Sequence, residues 1–119
     1  MRMPLFRLAA ALAAALPAGA ALAHPSVLKA APAPDAVVAS PKEVRLVFSE
    51  AVMLPLSGIK VVDAAGKAVP TGKAKAGQDG KELVVPLAGA LPAGSYHVQW
   101  HVVSSDTHRV EGHYGFGVR

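Results

Sequence analysis

Apolar and polar residues alternate in short runs through most of this chain, and each run ends at Pro, Gly or Asp. After Ser40-Pro41, Val44, Leu46 and Phe48 fall on one side of an extended segment, with Arg45 and Val47 on the other. Ser95 to Val103 is the strongest run, with Tyr96, Val98, Trp100 and Val102 on its apolar face. Gly112 to Val118 closes the chain with Tyr114, Phe116 and Val118 facing inward. Ser26 to Ala31 predicts a first strand, stopped by Pro32-Ala33-Pro34-Asp35. Gly58 to Asp63 predicts another, turned by Ala64-Ala65-Gly66 into a short return through Val69. Thr71 to Gly80 reads as a polar Gly/Lys loop, and Leu91-Pro92-Ala93-Gly94 as a turn. Glu82 to Leu87 alternates again, with Pro86 placing it at a sheet edge or strand end. About seven strands without helical periodicity predict an all-β domain: a single seven-stranded Greek-key β-sandwich or barrel, immunoglobulin-like or cupredoxin-like.

The first residues break this pattern. Met1 to Arg7 is short and basic, Leu8 to Leu16 is an apolar Leu/Ala run, and Ala21-Leu22-Ala23 is an A-x-A cleavage pattern. The apolar run is too short to span a bilayer, so residues 1–23 read as a secretory signal peptide that is removed. Residues 24–119 then form one small domain, exported and periplasmic. Removing Arg2 and Arg7 leaves ten Lys and Arg against eight acids, so the net charge falls from +4 to +2. The remaining cations are scattered without aromatic interleaving, which argues against a nucleic-acid partner.

The chain has no cysteine, so its core holds without a disulfide and no thiolate is available to a soft metal ion. Beyond the leader the only methionine is Met53. A metal site in this domain is therefore built from nitrogen and oxygen.

Five histidines fall in the predicted domain. His97 and His101 lie on the outward face of the strong run, about 13 Å apart along an extended chain, too far to share one ion unaided. They read as surface residues, as does His113. Asp106 and His108 are two residues apart, and an extended backbone there would turn both to one side, with Cα atoms about 6.5–7 Å apart. Cleavage after Ala23 would make His24 the first residue, and its α-amine and imidazole can chelate one metal in a compact ring. Reference pKa values of about 7.7–8.0 and 6.5 let both groups lose protons near neutrality. With Asp106 and His108 they make a set of three nitrogens and one oxygen, which suits Cu(II). Pro25 stiffens the chain beside the amine, against the alternative of a frayed terminus. Glu50 continues the Val44, Leu46, Phe48 face to one end of the sandwich. It reads either as an outer-shell group beside the metal or as a cap on the core.

Several stretches resemble the periplasmic copper-resistance CopC family: His24-Pro25 at the predicted mature start, Leu46-Val47-Phe48-Ser49-Glu50, the run from Gly94 to His108, and Gly112 to Val118. The resemblance implies a Greek-key β-barrel that binds one Cu(II) ion through the His24 amine and imidazole, Asp106 and His108, with Glu50 nearby. It implies copper sequestration, delivery or resistance by a monomer, beside an inner-membrane copper transporter of the CopD type. Some members carry a Met-rich loop for Cu(I). This chain lacks it, which fits a Cu(II)-only member. The reading is not of an enzyme. Two alternatives stand beside it: a copper-brace oxidative enzyme, and a metal-free β-sandwich interaction module.

Overall fold

Two four-stranded sheets face each other in the structure, a computed structural model that describes residues 24–119. The predicted signal peptide lies outside the described residues. In chain order the strands are β1 (Val27–Ala31), β2 (Val37–Val38), β3 (Glu43–Phe48), β4 (Gly58–Asp63), β5 (Lys75–Ala76), β6 (Glu82–Pro86), β7 (Gly94–Val103) and β8 (Arg109–Val118). One sheet runs β1-β3-β6-β5 and the other β2-β8-β7-β4. The chain changes sheet repeatedly, so β3 pairs with β6 and β4 with β7 across long connections. The pairing is antiparallel throughout except for the short parallel contact of β2 with β8.

The core is what the alternation demands. Val44, Leu46 and Phe48 of β3 are fully buried against Val61, Val98 and Val102 of the facing sheet, with Leu83 and Val85 beside them on β6. Each such side chain contributes about 1.5–3 kcal/mol by leaving water. Phe48 meets the Trp100 ring edge-to-face at a centroid distance of 5.3 Å, joining the two sheets at one end. Tyr96 stacks on Phe116 at 5.6 Å, and its hydroxyl donates to the Pro92 carbonyl at 2.7 Å.

The departures from the sequence expectation come from the shortest pieces. Eight strands replace about seven, because β2 and β5 are only two residues long and carry no readable period. The expected return through Val69 is reduced to a single bridge between Val62 and Ala68, while part of the predicted polar loop pairs as β5 with β6. Pro86 ends β6, as one of its two expected placements required, and β6 lies between β3 and β5 rather than at the edge. The last strand begins at Arg109, three residues before Gly112.

Gly112 shows how closely β7 and β8 approach. A Cβ there would sit 2.4 Å from the Trp100 ring, which lies directly over the glycine in its cross-strand pair. Gly112→Ala is expected to destabilise the domain by about 1–3 kcal/mol through overpacking. Chemical denaturation midpoints of the two proteins measure this.

Candidate metal centre

Ser104 to His108 is the hairpin loop that joins β7 to β8, with ten cross-strand pairs behind it from Gly94–Val118 to Val103–Arg109. The loop is a tight turn, so the convergence that an extended backbone would give Asp106 and His108 has to arise differently. Ser104 N–H donates to the His108 carbonyl at 3.1 Å, and Thr107 N–H to the Ser104 carbonyl at 2.9 Å. Thr107 occupies the left-handed region at φ 69°. Asp106 and His108 still converge, because the turn folds one back on the other. His108 Nδ1 lies 3.1 Å from Asp106 Oδ2, and the His108 backbone N–H donates to Oδ1 at 3.2 Å.

The sequence reading passed over Ser104. Its side chain is 1% exposed and its hydroxyl donates to Asp106 Oδ1. That hydroxyl, followed by the hydrogen bonds from His108, holds the Asp106 carboxyl down at about 2, below the ordinary 3.8. The carboxylate therefore stays charged, and it engages His108 through Nδ1, which leaves Nε2 turned to other partners. The signal available in the sequence was a serine two residues before the aspartate, the spacing of a local side-chain turn.

His24 approaches from the other side of the same end. Pro25 is fully buried, Ser26 N–H donates to Ser49 Oγ at 2.9 Å, and Ser49 N–H donates to the Ser26 carbonyl at 2.8 Å. These contacts fix the chain at the two residues that follow His24. The exposed His24 ring meets the His108 ring edge-to-face, with centroids 5.9 Å apart. The segment after Ser49 reaches the hairpin too: Val52 bridges to Ser104, and Met53 N–H donates to the Val103 carbonyl at 2.7 Å. Half-exposed Glu50 lies within this connecting segment, between the His24 anchor and the hairpin loop.

The structure thus brings His24, Asp106 and His108 to one end of the sandwich. Among the described residues, no three His, Asp or Glu side chains are drawn together tightly enough to hold a metal ion as they stand. His97 and His113 are exposed on the outer face of the β2-β8-β7-β4 sheet, as expected, while His101 there is half-buried.

The CopC domain model matches residues 27–119. The chain belongs to the CopC family. Protein YobA of Escherichia coli K12 is 43% identical over 99 residues, covering 82% of this chain and 80% of the relative. Copper resistance protein C of Pseudomonas syringae pv. tomato is 37% identical over 109 residues, covering 83% of each. Among solved structures, PcoC, a methionine-rich copper resistance protein from Escherichia coli, superposes with a TM-score of 0.74 at 36% identity, covering 82% of this chain and 100% of PcoC. CopC from Methylosinus trichosporium OB3b superposes with a TM-score of 0.74 at 41% identity, covering 80% of this chain and 93% of that one. PcoC is described as methionine-rich, whereas residues 24–119 here contain only Met53.

Removing the Ser104 hydroxyl takes away the largest influence on Asp106. Ser104→Ala is expected to raise the Asp106 carboxyl from about 2 toward 3.8, read by NMR titration of its side-chain carbon. A carboxyl depressed in the folded state stabilises the fold above its unfolded pKa, and that contribution is lost as pH falls through the folded value. The acid sensitivity between about pH 4 and pH 2 should therefore be smaller in Ser104→Ala than in the unsubstituted protein.

Proposed function

We propose that this protein is a periplasmic Cu(II)-binding protein that carries one ion as cargo for sequestration, delivery or resistance. The processed His24 supplies its α-amine and one imidazole nitrogen, and His108 and Asp106 complete the set. The observation that carries the reading is the meeting of the His24 and His108 rings, 5.9 Å apart, on two segments each anchored by buried neighbours, Pro25 and Ser104. Prior anchoring lowers the ordering cost of gathering distant ligands.

The donor chemistry suits the ion. Three nitrogens and one carboxylate oxygen favour Cu(II) among the divalent ions, and nothing in the set is soft enough to prefer Cu(I). Asp106 aims the His108 ring and offers negative charge to the arriving cation. Membership in the CopC family, with relatives named for copper resistance, supports the same cargo. Glu50, in the segment between the anchors, acts as an outer-shell group. The protein works as a monomer that exchanges copper with an inner-membrane transporter of the CopD type. The reading assigns binding rather than catalysis.

The test compares the chain beginning at His24 with one carrying a single extra residue before it. The extension converts the amine to a peptide nitrogen, and Cu(II) affinity should fall by at least about tenfold, or 1.4 kcal/mol, in competition titrations. Equal affinity in the two chains would rule out the N-terminal chelate. Affinity of the processed chain should also drop steadily from about pH 8 to pH 5, as protons compete for nitrogen ligands. A flat profile over that range would exclude a nitrogen-dominated set.

A further inference from the structure

Glu111, Gly112 and His113 repeat on β8 the carboxylate–x–imidazole spacing of the hairpin loop, and here the backbone is extended. Glu111 and His113 therefore leave the sheet on the same outer face, with Cα atoms about 6.5–7 Å apart. Gly112 between them faces inward beneath Trp100. The register sets His101 of β7 directly across from Glu111, and Gln99 across from His113. Opposed residues in such a ladder have Cβ atoms about 4.5–5.5 Å apart, and diagonal ones stay within about 8 Å. His101, Glu111 and His113 thus mark a triangle that two imidazoles and a carboxylate can close on one ion.

We propose that His101, Glu111 and His113 form a second metal site, on the outer face of the β2-β8-β7-β4 sheet, for a borderline divalent ion such as Zn²⁺. Two imidazole nitrogens, one carboxylate oxygen and a water complete the tetrahedral set that this ion takes. The site has room. Its three residues line an open depression of about 630 Å³ together with Lys60, Gln99 and Arg109. On the β4 side His101 faces Gly58, where the absence of a side chain leaves space for its ring.

The side chains are turned apart as they stand. The His101 ring lies over Gly58, where a Cβ would meet it at 2.9 Å, and the Glu111 carboxylate faces Arg109 at 3.6 Å. Glu111 can rotate inward while the strands stay still, because it and its Arg109 partner are well exposed, at 74% and 61%, and the half-buried His101 ring has to swing from Gly58 toward β8 to join it. An exposed pair of that kind is worth little, so breaking it opposes the ion only weakly. Ordering three side chains makes this site the weaker of the two.

The proposal is independent of the N-terminal chelate and is tested with that chelate disabled. Zn²⁺ is titrated into the chain extended by one residue before His24, followed by calorimetry and by ¹⁵N NMR of backbone and imidazole signals. One saturable equivalent should shift His101, Glu111 and His113. His101→Ala and His113→Ala should each weaken that event by at least about tenfold. His97→Ala, on the same face but outside the triangle, should leave it unchanged. Thermal melting without zinc confirms that each variant is folded. Shifts confined to residues 106–108, no saturable shift up to about 1 mM Zn²⁺, or an unaltered affinity in the His101→Ala/His113→Ala double variant would each overturn the second site.

Discussion

The ladder between β7 and β8 is the constraint on which the rest of the molecule depends. Its ten pairs, from Gly94–Val118 to Val103–Arg109, fix where the hairpin loop turns and which side chains leave each face. On the inner face the ladder carries Tyr96, Val98, Trp100 and Val102 into the core, so the hydrophobic effect locks its register. A slip of one residue would expose all four and bury His97, Gln99 and His101 instead. The loop is consequently mounted on the most firmly specified part of the fold, and Asp106 and His108 inherit that rigidity.

The second requirement is an anchor for a chain end. Terminal residues ordinarily fray, because few contacts oppose their conformational entropy. Here Pro25 is buried and the Ser26–Ser49 hydrogen bonds continue the edge pairing of β1 with β3 past the end of the strand. The same stretch of chain then reaches the hairpin through Val52 and Ser104. One connecting segment thereby ties both halves of the proposed site to a common support. Buried Ser104 adds an electrostatic part, keeping Asp106 ionised with its oxygens directed to the loop and to His108.

Much of this was legible in the chain. Val44, Leu46 and Phe48 announce β3 by strict alternation, and the run before Ser104 announces β7, because burial on one face imposes a period of two on any strand. The short pieces were not legible. Val37–Val38 and Lys75–Ala76 pair only because longer neighbours present open edges to them. The Asp106 and His108 pairing was expected for the wrong local reason: a turn with Thr107 in the left-handed region brings them together, not an extended strand. Ser104 was missed because a serine in a Ser-Ser-Asp-Thr stretch looks like ordinary turn chemistry until its burial is known.

The sequence by itself determined the all-β class, the core residues, the lack of any thiolate and the residues able to bind a hard or borderline ion. These follow from composition and from periodicity, which are local properties of the chain. Only the tertiary structure decided which of those residues meet. His24 and His108 are 84 positions apart in sequence, and their rings approach to 5.9 Å because β1, β3 and the hairpin end at the same rim of the sandwich. His101 and Glu111 stand opposite each other on the ladder because register, set by burial on the opposite face, pairs their positions across two strands. Side-chain type is written one residue at a time, whereas proximity is a consequence of how the whole core packs.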